Sequence, residues 1–179
     1  INIFNQKKIS IIPNGINMDS GDHNFKIKNK IKKFIYVGRS AHNKNLDFIL
    51  NLFRKSMNSN FNLNVITDKY YKNEKNITFN NNISKKKLNE LYLKSDVLLV
   101  PSSYEAFSIV CLEAMKYGLL LIISEKVMIK TYLKKMNFCK ILQLNSNHWQ
   151  KHLCKLNELN QSKINTLSRG EKQRVAIIR

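Results

Sequence analysis

Two carboxylates, Glu105 and Glu113, stand eight residues apart in the otherwise apolar stretch YEAFSIVCLEAM, residues 104–115. If that stretch is helical, eight residues advance it about 12 Å and turn it about 80° past two full turns. The two acids therefore cannot form a close acid–base pair, and each has its own task. The start of a helix exposes unpaired backbone N–H groups and a partial positive charge, which suits a phosphate. Upstream, Gly38-Arg-Ser-Ala-His-Asn-Lys44 offers two cations, Arg39 and Lys44, in one short loop. Two cations beside a helix start suit a diphosphate better than a single carboxylate. Glu113, two turns into the helix, is then in reach of a ribose, because a carboxylate accepts hydrogen bonds from both hydroxyls of a vicinal diol. Glu105, in the loop before the helix, meets whatever is attached to the far phosphate. In so basic a chain, solvated loop charge is the competing account of Arg39 and Lys44.

Short apolar blocks alternate with helical patterns around these groups, as βαβ units require. Residues 33–38 read as a strand running into a glycine turn, and 46–57 as a helix with Leu46, Ile49, Leu50 and Phe53 on one face. Residues 62–67 and 76–81 are further strands, and Ser84 caps a helix over 85–94. The clearest buried strand covers 96–101 and stops at Pro101; the helix after it is expected from Phe107 to Gly118. The apolar run 119–124 suits a parallel strand covered on both faces. A basic helix around 128–136, a strand over 140–144 and a helix from about 146 carrying Trp149, Leu153 and Leu156 complete the pattern. The expected fold is α/β, a doubly wound open parallel sheet of Rossmann-like type. Ligands of such sheets sit beyond the carboxyl ends of the strands, so the loops after Val37 and Val100 are the expected site.

The composition fits a folded domain and narrows its setting. The chain has 179 residues, 43% hydrophobic and 24% charged, enough for one substantial core. A net charge of +19 would attract phosphates, nucleic acid or acidic lipid. The lysines are spread through the chain alongside 25 asparagines, which favours a composition bias; no specific nucleic-acid partner is expected. Three cysteines, Cys111, Cys139 and Cys154, are too few and too scattered for a disulfide framework or a zinc site, which points to the reducing cytoplasm. His148 and His152 share helical spacing but lack a third ligand, so no metal site is expected. No apolar run approaches the ~18 residues of a membrane span.

Four segments in order carry a resemblance: IPNGI at 12–16, YVGR at 36–39 with Lys44 five residues on, LYLKSDVLLVPS at 91–102, and YEAF at 104–107 followed by LEAMKYG at 112–118. Together they are similar to the C-terminal, donor-binding half of a family 4 retaining glycosyltransferase (group 1), whose B-type fold sets two Rossmann-like domains face to face. The resemblance implies a nucleotide-diphosphate sugar donor held by Gly38, Arg39, Lys44, Glu105, Ala106, Phe107, Ser108, Ile109 and Glu113. Within that set it gives Arg39, Lys44 and Glu105 the catalytic work, with the two cations on the diphosphate, Glu105 near the sugar and Glu113 on the ribose. It also implies retention of anomeric configuration, no metal or other cofactor, and a glycan or lipid-linked acceptor in polysaccharide assembly. The implied location is cytoplasmic, with peripheral contact at the inner face of the membrane. By the same analogy residues 1–17 are an interdomain crossover remnant, 18–160 the donor-binding domain and 161–179 a basic tail or helix. The acceptor-binding N-terminal domain would lie outside this chain, which is then expected to be a fragment or split product that binds donor and transfers poorly alone.

The chain also departs from that family. Ala106 and Ser108 stand where glycines are usual, and a methyl at 106 would narrow the site and oppose a positive φ angle. Leu119-Leu-Leu121 replaces a small residue and a proline, which would change the loop cupping the donor. Asp68 replaces a glycine-rich turn, leaving recognition of the base open. The tail LSRGEKQRVAIIR, 167–179, resembles the signature segment of ABC-transporter ATPases, but no Gly-Lys pair of a phosphate-cradling loop exists upstream. Two further readings follow: a catalytically inactive binding remnant of such an enzyme, and a nucleotide-binding piece related to those ATPases.

Overall fold

Asp96 sets the first strand pair: its carboxylate accepts the backbone N–H groups of Lys32 and Lys33 at 2.9 and 2.8 Å, so the starts of two distant strands are locked together. The computed structural model describes residues 14–16, 31–56 and 61–156. Its strands are β1 (Lys33–Val37), β2 (Asn62–Thr67), β3 (Ile77–Asn81), β4 (Val97–Val100), β5 (Leu120–Ser124) and β6 (Cys139–Leu142). They form one six-stranded sheet in the order β3-β2-β1-β4-β5-β6, every pair parallel. The helices are α1 (Leu46–Ser56), α2 (Lys85–Lys94), α3 (Ile109–Lys116), α4 (Lys130–Leu133) and α5 (Ser146–Leu156). Strand order reverses between β1 and β4, and the ligand crevice of an open α/β sheet is expected beyond the carboxyl ends of the strands at such a reversal.

Alternation along the strands divides the core in two. Phe34, Tyr36, Leu63, Val65, Val97, Leu99 and Ile122 face α1 and α5, where Ile49, Leu50, Phe53, Trp149 and Leu153 close the layer. Ile35, Ile66, Leu98, Val100, Leu121 and Ile123 face the other way, onto Tyr92 of α2, Cys111, Leu112 and Ala114 of α3, and Leu133 of α4. Burying each such large side chain contributes about 1.5–3 kcal/mol, so both layers are needed to hold the sheet. Trp149 is the expected core anchor: it is fully buried, its indole N–H donates to the Gln143 carbonyl at 2.9 Å, and Phe48 meets its ring edge-on. Ser84 caps α2 as expected, its hydroxyl accepting the Lys87 N–H at 3.2 Å.

Several boundaries differ from the sequence reading. The helix expected over 107–118 begins at Ile109, because Ser108 is still extended at φ −96°, ψ 98°. It ends at Lys116, where Gly118 takes φ 73° and its N–H and that of Leu119 close back onto Met115 and Ala114 at 3.0 and 3.1 Å. Leu119 precedes β5 and is buried in the second layer. The basic helix expected around 128–136 shrinks to the single turn of α4, since Glu125–Met128 is committed elsewhere: Met128 N–H bonds the Glu105 carbonyl at 2.9 Å. The last strand stops at Leu142 instead of 144 because its partner β5 ends at Ser124, which pairs with Leu142. Most of the crossover remnant and the whole ATPase-like tail lie outside the described residues.

Candidate functional site

The loop after β1 is short and heavily constrained. Gly38 N–H bonds the Ile66 carbonyl at 3.0 Å, and a Cβ at Gly38 would stand 3.0 Å from the Tyr36 hydroxyl, so a side chain there would displace that ring. His42–Lys44 form a 3₁₀ turn, which Asn45 terminates in the left-handed region at φ 49°, ψ 45°. Asparagine tolerates that conformation better than most residues. Its side-chain amide donates to the Pro101 carbonyl at 2.9 Å, tying the loop after β1 to the end of β4. Ser103 N–H donates to the Asn43 carbonyl at 2.8 Å, and the Asn43 amide to the Tyr104 carbonyl at 3.2 Å. The two loops are thus stitched by backbone and asparagine-amide contacts that leave their charged side chains to do other things.

Asp68 is part of the same stitching, not of a glycine-rich turn. It accepts the Ser40 N–H at 2.7 Å, and that bond, helped by the Thr67 hydroxyl, lowers its carboxyl from the usual 3.8 to about 2.

Lys44 and Glu105 meet at the mouth of the crevice. The ammonium lies 2.9 Å from Glu105 Oε1, the side chains being 24% and 11% exposed. Ser102, itself buried, donates its hydroxyl to Oε2 at 2.9 Å. Below them the Tyr36 hydroxyl donates to the Lys44 carbonyl at 3.4 Å; burial, then the Glu105 charge, push that phenol's pKa upward. The Glu105 backbone forms a parallel bridge with Val127, so the acid is anchored both to its own loop and to the segment after β5.

Ser108 and Ile109 open α3. The Ser108 hydroxyl makes no capping bond; it is fully buried with no oxygen or nitrogen partner among the described residues. No side chain therefore competes for the first N–H groups of the helix at this position. Ala106 and Ile109 are exposed, and Phe107 packs partly against the second core layer. Among the described non-glycine residues only Asn45 and Asn82 have positive φ, so the backbone conflict expected at Ala106 does not arise. Burial pushes the Cys111 thiol up to about 12, which makes it part of the packing and a poor nucleophile.

Glu113 sits apart from that group. Its Oε1 is ion-paired with Lys85, and its Oε2 accepts the Tyr92 hydroxyl at 3.0 Å. Tyr92 is fully buried and stacked on Tyr117, ring centroids 5.5 Å apart and planes 12° from parallel. The two acids thus have separate partners, Glu105 in the loop before α3 and Glu113 within the helix. Arg39 is exposed and makes no hydrogen bond or ion pair among the described residues, so it does not join the Lys44–Glu105 pair.

Sequence reasoning missed Asn43, Asn45, Lys85, Tyr92 and the role of the segment after β5. Asn45 carried a signal, an asparagine between a polar turn and a helix start. Tyr92 carried none, since nothing local sets it apart from the other apolar residues of α2. Chemically, the arrangement offers an anion the Lys44 ammonium and the free N–H groups of α3, beside an acid whose position is fixed from three directions.

Known proteins share this sequence pattern and this fold. Residues 21–147 match the family model described as glycosyl transferases group 1. The chain is 30% identical over 128 residues to an uncharacterised 41.2 kDa protein in the cps region of Klebsiella pneumoniae, an alignment that takes in 64% of this chain and 36% of that protein. Among solved structures, WaaG, a glycosyltransferase involved in lipopolysaccharide biosynthesis, superposes with a TM-score of 0.66 at 20% identity, over 84% of this chain and 44% of WaaG. A trehalose-6-phosphate synthase studied for glycosyl transfer with retention gives 0.72 at 15% identity, over 94% of this chain and 48% of the enzyme. The chain spans less than half the length of each of these relatives. The α/β architecture, the crevice at the reversal of strand order and the match over most of its length agree: this chain belongs to the glycosyl transferases group 1 family.

Proposed function

We propose that the crevice binds a nucleotide-diphosphate sugar and that the chain is the donor half of a retaining glycosyltransferase. The observation that carries this reading is the 2.9 Å pairing of Lys44 with Glu105 beside the uncapped start of α3, at the reversal point of the sheet. Lys44 and the α3 N–H groups take the diphosphate, and the exposed Arg39 swings onto it from the same loop. As the bond between the anomeric carbon and the diphosphate lengthens, negative charge grows on the leaving phosphate, and fixed cations and N–H dipoles stabilise it. Glu105, released from Lys44 when the diphosphate arrives, faces the sugar, and Glu113 takes the ribose hydroxyls. No side-chain nucleophile, metal or other cofactor is required by this scheme.

Retention is supported by what is described for the trehalose-6-phosphate synthase neighbour, and a glycan or lipid-linked acceptor by WaaG and the cps-region relative. The acceptor is bound by a second, N-terminal domain, and residues 18–160 serve as the donor domain. No helix among the described residues is long and apolar enough to cross a membrane. The cytoplasmic location, with peripheral contact of this basic chain at an anionic membrane face, is part of the same proposal.

Calorimetric titration with UDP, GDP and ADP and their sugars tests it. One of these nucleotides binds the wild-type chain, and binding weakens in both Lys44→Ala and Glu113→Ala. ATP binding indifferent to both substitutions would instead favour the ATPase-like tail; donor binding with no transfer when the acceptor-binding half is supplied would favour an inactive binding remnant, and no nucleotide binding at all would overturn the proposal.

A further inference from the structure

Glu113 is held at both carboxylate oxygens by partners of different kinds, and both come from α2. Lys85, in the first turn of α2, reaches Oε1 with a side chain that is 63% exposed. Tyr92, seven residues on and so on the same face, gives its hydroxyl to Oε2 at 3.0 Å from a fully buried position. Burial, then the Glu113 charge, push the Tyr92 phenol's pKa far upward, so it remains a donor at every working pH. A phenol buried this deeply cannot lose its acceptor without leaving a polar group stranded. An exposed ammonium returns to water at almost no cost.

We infer that Tyr92 is the positioning residue of a ribose-reading carboxylate and that Lys85 is its displaceable cap. This rests on the reading that Glu113 takes the ribose hydroxyls. Tyr92 fixes the plane of the Glu113 carboxylate, held in turn by its stack on Tyr117. A vicinal diol brings two O–H donors to that plane. On the Oε2 side it shares the oxygen with a phenol that stays, and on the Oε1 side it meets an ammonium that leaves. Ribose recognition is therefore tuned by two residues that do not touch the substrate, one improving it and one competing with it.

The test uses the full chain and three probes: the nucleoside diphosphate among UDP, GDP and ADP that binds, its 2′-deoxy counterpart, and inorganic pyrophosphate. The readout is discrimination between ribose and deoxyribose, which general loosening of the fold does not move. Tyr92→Phe keeps the ring and its stack, and a thermal melt checks that the variant is folded. Its ribose discrimination falls about fivefold, while its pyrophosphate affinity stays within about twofold of wild type. In Lys85→Met the discrimination rises about two- to threefold. Unchanged discrimination in folded Tyr92→Phe, or lower discrimination in Lys85→Met, overturns the inference. Glu113→Gln separates the layers: if it leaves ribose discrimination untouched, the reading of Glu113 itself falls, whereas a loss in Glu113→Gln without one in Tyr92→Phe removes only the positioning role of Tyr92.

Discussion

Glu105 and Glu113 lie eight residues apart, yet they are built into the molecule in opposite ways. Glu105 is organised by loops: Lys44 from the far side of the crevice, Ser102 from its own turn, and a backbone bridge to Val127. Glu113 is organised by regular structure, pinned from α2 by a buried phenol and an exposed ammonium. The loop acid can exchange partners without disturbing the core. The helix acid is continuous with the core, because its phenol partner is one of the largest fully buried side chains.

The largest expected effect tests that contrast directly. Tyr92→Ala removes a buried ring and lowers the unfolding free energy by about 3–4 kcal/mol, whereas Glu105→Ala, which strands the buried Ser102 hydroxyl, lowers it by about 1–2 kcal/mol. Urea denaturation followed by circular dichroism measures both; equal losses would abolish the distinction. Ligand binding is expected to reverse the ranking. Lys44→Ala weakens the nucleoside diphosphate about tenfold or more, while Lys85→Ala changes it by less than about threefold, as read by titration calorimetry.

Smaller effects sharpen the loop side. Asn45→Ala is expected to cost about 1–2 kcal/mol, from the left-handed backbone and the lost bond to Pro101. Asn45→Gly keeps the backbone and costs about half as much. Thermal melts of the two variants separate the contributions. Smallest is the effect of Asp68. Its carboxyl is depressed to about 2, so its stabilising contribution is complete above the ordinary value of 3.8 and drains away as pH falls through about 2. Asp68→Asn therefore melts slightly below wild type at pH 5, with the gap closing towards pH 2.

The sheet was legible in the sequence because its signals are local. Four-residue β4 is apolar throughout and stops at a proline, and Ser84 precedes its helix in the manner of a cap. The separation of Glu105 from Glu113 was legible from the placing of one in the loop and the other in the helix, although the eight-residue stretch is not helical throughout, since α3 begins only at Ile109. The wiring of the site was less legible, since it joins residues distant in the chain: Lys44 to Glu105, Ser40 to Asp68, Lys85 to Glu113. Such pairs leave no periodicity. The basic helix placed around 128–136 failed for the same reason, as its first residues are held by Glu105. Concern over Ala106 assumed a left-handed backbone, and among the described residues that conformation is taken by Asn45, Asn82 and Gly118 instead.

The bridge from Glu105 to Val127 also dictates an order of events during synthesis. Residues 102–108 leave the ribosome before β5 exists, so nothing is yet present to support the acid from that side. Only when the twenty-odd residues beyond it have emerged and β5 has docked can the loop settle into its working shape. A nascent chain halted near residue 120 would already carry every charged group of the crevice, and would still lack the brace that aims one of them.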